Sequence, residues 1–376
     1  MRKFTNAPLP SLGLIFKGLI KKNPGTAVQF NEISKANNHL NFNFSRSAWS
    51  LEFIAKLRTG IMQTNTIKMM VPDYFCNSSL AALRKIKVDL VFYPVNQNGE
   101  GNIDEIDKIL KKNKIDLFLA VHFFGNYYDF SAISKIIKAS NAWFIEDCAH
   151  MLTNPDPRIH FADFQIFSPH KLLPLPDGAI LIANKGIFEK GSNMEIAKTI
   201  YSEYSEYDFF EPFKWLLKRL LQKLGVGVRL GINNFFHDDE INSTKRFPKP
   251  AMTPFSKSLL SHLMDTLEEE ESTRKENSDS WVKIMSELFP SARVIYPEGN
   301  FHSYYLLGFE FEEEKDLIKA IFLLNKKKFP ICTWPDLPPE VLDNRDYFRE
   351  AIDLRYKTIF FHVHSSIRKK DIESSL

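Results

Sequence analysis

The sequence predicts an α/β protein with a mainly parallel central sheet and a smaller α/β domain at its C-terminal end. Three observations carry this reading. Between about Asn43 and Asn184, short apolar segments alternate with amphipathic helical ones. The apolar segments have no polar face, as strands covered on both sides of a sheet require. Beyond residue 250, a second, shorter series of helices and strand-like runs follows a stretch of different rhythm.

Taken in order, Leu51 to Arg58 reads as a helix and Thr66 to Val71 as a strand ending at Pro72. Ser78 to Ile86 is a helix, Val88 to Tyr93 a strand, Ile103 to Lys111 a helix and Ile115 to Val121 a strand. Phe130 to Ala139 is a helix, and Ala142 to Glu146, Asp163 to Phe167 and Ala179 to Ala183 are strands. The stretch 187–249 breaks the rhythm. It holds a basic amphipathic helix starting near Pro212, with Phe213, Trp215, Leu216, Leu217, Leu220, Leu221 and Leu224 between Lys214, Lys218, Arg219 and Lys223. Thr253-Pro254 has the form of an N-cap and first helical residue, and a single long helix is expected from there to about Leu288. Strand-like Arg293 to Tyr296 and Tyr304 to Phe309, a helix from Glu314 to Asn325 and strand-like Thr358 to Val363 complete the series. The division expected is a large domain over 1–249, with an N-terminal arm and the divergent 187–249 stretch, and a small domain over 250–376.

Composition narrows the function. The 376 residues are 44% hydrophobic and 25% charged, which excludes wholesale disorder. With 49 basic and 46 acidic residues the net charge is +3, so no dominant cationic face for nucleic acid is expected. Cys76, Cys148 and Cys332 are odd in number and far apart, which fits a reducing cytoplasm better than a disulfide framework or a zinc site. No apolar run approaches the ~20 residues of a membrane span, and Met1 to Pro10 lacks a signal-peptide layout. A soluble cytoplasmic protein is expected. Basic amphipathic helices do bind anionic lipid, and both the Phe213 to Leu224 helix and Leu12 to Lys22 have that character. Packing on the protein itself or on a dimer partner is the better-supported reading of such a helix.

In parallel sheets, ligands sit at the carboxyl ends of the strands. Four polar sets follow apolar strands: Pro72-Asp73-Tyr74, His122 to Gly125, Asp147 to His150 and Ser168 to Lys171. Taken singly, each has a structural reading. Asp147 could cap a turn, Lys171 could be a surface lysine, and His150 and His122 could be core hydrogen-bonders. Ser168, His170 and Asp177 look superficially like a nucleophile triad, but spacing this local rarely gives triad geometry and no GxSxG occurs. His362 and His364 share a strand face without an evident third ligand, so no metal site is expected.

Taken together, Glu146-Asp147-Cys148-Ala149-His150, then Ser168-Pro169-His170-Lys171, then Gly178-Ala179 resemble the core of the fold-type-I (aspartate-aminotransferase-like) pyridoxal-phosphate-dependent transferases. More narrowly, the chain resembles the DegT/DnrJ/EryC1/StrS family of sugar aminotransferases. The EDxAH segment is Glu146 to His150, the VHxxG segment is Val121 to Gly125, and an NID-like segment is Asn102-Ile103-Asp104. The likeness runs from about residue 40 to 370. It implies pyridoxal 5'-phosphate as cofactor. Lys171 is the amine that holds its aldehyde, and Asp147 is the carboxylate facing the pyridine nitrogen. His150 is implied at the phenolic oxygen, and Ser168 with Arg46 and Ser47 at the phosphate, where a helix N-terminus suits an anion.

Departures from the family pattern are visible. The lysine follows the serine by three residues, where many members have five, and Ala179 replaces a second glycine. The segment carrying the ring-stacking aromatic reads Pro72-Asp73-Tyr74-Phe75-Cys76, leaving Tyr74, Phe75 or Cys76 to face the ring. Arg229, Asn233 and Asn234 are candidates for the partner-subunit segment. The family further implies a nucleotide-linked keto-sugar acceptor, an amino-acid donor, amino-sugar or surface-polysaccharide synthesis, and a homodimer. Two rivals stand beside this reading: a sugar dehydratase on the same fold, in which histidine replaces the lysine, and a non-catalytic or regulatory protein.

Overall fold

The computed structural model describes residues 4–20, 39–152, 162–226, 248–295, 305–334 and 336–374. In chain order, α1 (Leu12–Leu19) precedes β1 (His39–Phe44), α2 (Ser47–Met62), β2 (Lys68–Pro72), α3 (Asn77–Lys85) and β3 (Asp89–Tyr93). Then follow α4 (Ile103–Lys112), β4 (Leu117–Val121), α5 (Ser131–Ala139), β5 (Trp143–Cys148), β6 (Phe164–Phe167), α6 (Pro169–Leu172) and β7 (Ala179–Asn184). Next come α7 (Gly191–Ser202), α8 (Glu211–Lys223), α9 (Pro254–Leu263) and α10 (Leu267–Leu288). The C-terminal part holds β8 (Arg293–Ile295), β9 (Leu306–Glu310), α11 (Glu314–Lys326), β10 (Ile331–Cys332), α12 (Pro339–Leu342), α13 (Arg349–Lys357), β11 (Thr358–His362) and α14 (Lys369–Glu373).

The large sheet has the strand order β1-β7-β6-β5-β4-β2-β3. Its β3, β2, β4, β5 and β6 are parallel. Strand β7 runs against β6, and β1 runs against β7. Two reversals restore direction, so β1 points the same way as the parallel strands. Its carboxyl end, and the Ser45-Arg46-Ser47 segment beyond it, therefore lie at the sheet end where Asp147 and Ser168 emerge. The amide of Gly178 donates to Ser45 O across this end (2.9 Å). The parallel strands read apolar throughout because helices cover both faces; β4 is buried at every position. A second sheet, ordered β10-β11-β9-β8, is antiparallel. Trp281, Phe309 and Phe361 form its core with α10 and α11.

The strands and helices expected between residues 51 and 184 are present within a few residues of their expected bounds. Three differences stand out. The expected long helix from Pro254 is two helices, α9 and α10, joined by a 3-10 turn at Met264–Thr266. No proline or glycine marks that break, and the apolar spacing runs through it. Strand β1 begins before the expected alternation because His39–Phe44 carries polar residues that suit its position at the sheet edge. Helix α8 forms as expected, but its apolar stripe faces outward: Phe213, Leu217, Leu220, Leu221 and Leu224 are exposed. Leu12, Phe16, Leu19 and Ile20 of the N-terminal region repeat this arrangement. Among the described residues, no helix is long and apolar enough to cross a membrane.

Candidate active site

The site is assembled at the carboxyl ends of β4, β5 and β6, with one turn of chain after each. After β6, Ser168 leads into the short α6, which carries Lys171. Lys171 Nζ lies 3.2 Å from His150 Nε2 and over the ring of Tyr305, 5.9 Å from its centroid. Asp147, at the end of β5, is buried, and its Oδ1 accepts from the Ala149 amide at 2.8 Å. Burial pushes the Asp147 carboxyl above its ordinary range, and the charge of Lys171 pulls it back down.

His150 is fixed by the loop after β4. Its Nδ1 accepts from the Phe124 amide (3.1 Å), so the hydrogen of the neutral ring sits on Nε2, toward Lys171. Burial, then the charge of Lys171, hold the imidazole pKa well below its ordinary value. Phe124 has φ 57°, a conformation that a bulky residue adopts only when its surroundings impose it. The twist turns its N–H to His150 while its carbonyl accepts from Tyr305 N (3.1 Å). Tyr305 in turn stacks on His150, with centroids 4.4 Å apart and planes at 15°. One strained residue thus orients an imidazole and a phenol beside the lysine. Tyr305 is a site residue that the sequence did not signal; Phe124 lay inside the VHxxG segment but with no hint of its role.

The other expected residues divide. Ser168 Oγ is fully buried and has no hydrogen-bond partner among the described residues. Cys76 Sγ lies 3.2 Å from Asp336 Oδ1 and 3.0 Å from Ser78 Oγ. Burial first, and then Asp336, push its thiol up to about 11. Tyr74 is committed to the core and stacks on Trp334 at 4.8 Å; Phe75 is buried beside it. Arg46 spends its guanidinium on Ser45 O (2.8 Å) and Pro176 O (3.2 Å), bridging the two segments at this sheet end. Ser47 opens α2, whose N-cap makes no side-chain bond. Arg229, Asn233 and Asn234 lie outside the described residues.

The triad arrangement does not form. His170 Nδ1 meets Gly178 O at 2.7 Å, and Asp177 receives the Thr253 amide and hydroxyl. His364 Nε2 donates to Thr5 O (3.0 Å). The ligand-type atoms of His122, Glu146 and Cys148 lie within 4.8 Å of one another behind β5. They are engaged as a core: Glu146 accepts from Gln165 (2.7 Å) and His122 from the Tyr128 amide (3.2 Å). Burial raises the Cys148 thiol well above its ordinary value, opposing the thiolate a metal needs.

The fold defines the class: it is that of the fold-type-I pyridoxal-phosphate-dependent transferases. Residues 59–191, which include Asp147, His150, Ser168 and Lys171, match the model of the DegT/DnrJ/EryC1/StrS aminotransferase family. Among curated proteins, a serine hydroxymethyltransferase of Cupriavidus necator is 31% identical over 115 residues, 29% of this chain. That match spans only 27% of the relative's own length. Among solved structures, the E. coli GDP-4-keto-6-deoxy-D-mannose-3-dehydratase with bound hydrated PLP superimposes with a TM-score of 0.69 at 15% identity, covering all of both chains. The Helicobacter pylori aminotransferase PseC, involved in the biosynthesis of pseudoaminic acid, gives a TM-score of 0.70 at 13% identity, covering 99% of this chain and 96% of that one.

Proposed function

We propose that this chain is a pyridoxal 5'-phosphate-dependent aminotransferase that moves an amino group from an amino acid to a nucleotide-linked keto-sugar. The setting is amino-sugar or surface-polysaccharide synthesis in the cytoplasm, and the working unit is a homodimer. The observation that carries this is the Lys171–His150 contact of 3.2 Å with Asp147 in electrostatic reach of the same amine.

The residues present fit the cofactor. Ser168 offers a buried hydroxyl in want of a partner, and the first turn of α2 at Ser47 offers backbone amides that no side chain caps. Asp147 supplies the buried carboxylate for a pyridine nitrogen, and His150 presents Nε2–H for a phenolic oxygen. Lys171 is the amine to which the aldehyde is joined. Arg46 holds the sheet end together with two of its five N–H groups and stays a candidate for the phosphate beside Ser168 and the α2 amides. Of the three candidates to face the ring, Tyr74 is spent on Trp334 and Phe75 is buried, which favours Cys76.

When bound, the cofactor supplies an aldehyde that holds an amine and a ring that draws electrons from the adjacent carbon. The chain does the rest. Asp147, being buried, would hold the proton of the ring nitrogen in place. Lys171 Nζ would hold the aldehyde and, when free, would take and return the proton moved at the substrate carbon. Dehydration on this fold calls for a histidine in the lysine's place. The His170 ring is turned to Gly178 O, so the amine of Lys171, and not that imidazole, stands beside His150. This supports aminotransfer over dehydration.

Borohydride reduction of the purified protein followed by peptide mapping tests the reading. A pyridoxyl adduct on Lys171 is expected, together with visible absorbance that fades on adding an amino donor. A colourless protein that binds no added cofactor, or an adduct elsewhere, overturns it and favours a non-catalytic role.

A further inference from the structure

Among the described residues, the exposed large apolar side chains gather in two segments and are otherwise scattered singly, at Ile103, Ile318, Phe322 and Tyr347. One segment is α8 with the turn before it, and the other is α1. Clustered exposure of this kind marks a surface that something covers. Helix α8 shows how it is built. Trp215, Arg219 and Gln222 turn toward the protein. At about 100° per residue, Phe213, Leu217, Leu220, Leu221 and Leu224 fall within one arc on the opposite side, where each is exposed. The same spacing sets Lys214 and Lys218 along one flank of the arc and Lys223 along the other. A lysine stem can lie on apolar surface while its ammonium stays in water. An apolar arc with cations on both flanks is the layout of a helix lying in the plane of an anionic lipid surface. Phe209 and Phe210, exposed in the turn before α8, add two aromatic rings at its N-terminal end.

Helix α1 repeats the pattern on neighbouring surface. Its Gly18 is buried against Leu259 and Phe255, while Leu12, Phe16 and Leu19 are exposed. Lys17 is its only charge. The chain just before α1 meets α8 directly: Asn6 and Pro8 line one cavity with Trp215 and Arg219. Charge then separates the possible occupants. Across 209–226 the single acid is Glu211, and Lys214 already pairs with it at 3.1 Å. Lys17, Lys218 and Lys223 have no acid on their own helices to answer them. A second copy docked by this face about a two-fold axis would set cations against the same cations. A bilayer carrying anionic phospholipid presents the opposite charge, and its acyl boundary takes the leucines.

We propose that α8 and α1 dock this protein on the surface of a membrane that contains anionic phospholipid. The apolar arc lies at the boundary of headgroups and acyl chains, with Lys17, Lys214, Lys218 and Lys223 at the phosphates. Docking does not depend on the chemistry at Lys171. It does place that chemistry: the inward side of α8 walls a cavity that Lys171 also lines, so the cavity is held ~10 Å, one helix diameter, from the lipid.

Flotation of the full-length protein with vesicles tests this, using phosphatidylcholine alone or with about one third phosphatidylglycerol, at about 50 mM and about 500 mM salt. The wild type should bind the anionic vesicles at least about tenfold more tightly than the neutral ones, and the difference should shrink at the higher salt. Leu217→Ser with Leu221→Ser should weaken binding at least about tenfold. Lys218→Gln with Lys223→Gln should weaken it about fivefold per lysine on anionic vesicles and leave neutral vesicles unaffected. Both variants change exposed positions, so thermal midpoints should stay at the wild-type value. Wild type that ignores anionic vesicles, that binds both kinds equally, or that loses nothing in the leucine variant overturns the proposal. So does a dimer, seen by light scattering, that the leucine variant splits while the wild type stays off the vesicles, which assigns the face to a second copy.

Discussion

Glu146→Gln probes the buried acid that opens the EDxAH segment. Glu146 is 5% exposed and its Oε2 accepts from Gln165 Nε2 at 2.7 Å. Burial raises its pKa from 4.5 to about 7, against the smaller opposing effect of Gln165. In the unfolded chain the carboxyl ionises near 4.5, and in the folded protein near 7. Below pH 4.5 both states are protonated and nothing is lost. As pH rises toward 7 the unfolded state ionises first, so stability falls, and above 7 the loss is complete. At ~1.36 kcal/mol per pH unit, the full loss is about 3 kcal/mol, of which about 2 falls between pH 5.5 and pH 8. Glutamine keeps an acceptor for Gln165 and does not titrate. The variant should therefore gain on the wild type by about 2 kcal/mol between those pH values, read from urea midpoints at each. A difference that is flat with pH, or that shrinks as pH rises, would refute the buried-acid argument.

Phe124 reverses an ordinary preference. Phe124→Ala removes a buried ring and keeps the left-handed backbone, costing about 3–5 kcal/mol. Phe124→Gly relieves the backbone and should come out about 0.5–1 kcal/mol more stable than the alanine variant; equal or reversed thermal midpoints would count against strain at this residue. His150→Phe preserves the stack on Tyr305 but strands the Phe124 amide, so a loss of about 1–3 kcal/mol is expected by denaturation. The same variant should retain pyridoxal phosphate roughly tenfold less well, by absorbance after dialysis. Thr253→Ala removes both a helix cap and a donor to buried Asp177, costing about 2–3 kcal/mol, with Thr253→Ser close to wild type.

Much of the architecture was legible because parallel strands covered on both faces leave an unmistakable sequence pattern. Leu117–Val121 is such a case, apolar at each position and buried at each. The strand-end logic then pointed to Asp147, His150 and Lys171, and the fold places the amine of Lys171 3.2 Å from His150 Nε2. What escaped was decided by distant parts of the chain. Tyr305 reaches His150 because a carbonyl 181 residues earlier, at Phe124, fixes its amide. Arg219 reads as one more cation on an amphipathic helix, and only packing shows that it points inward. The break at Met264–Thr266 carries no helix-breaking residue, so no local rule could find it.

Helix α8 inverts the usual assignment of inside and outside. Choosing positions to vary by hydrophobicity alone would guard Leu217 and Leu220 and sacrifice Arg219 and Gln222. The reverse is the sound course for the single chain: charged replacements along the leucine row should improve solubility at little cost in folding, whereas trimming the polar row empties the wall beside Lys171.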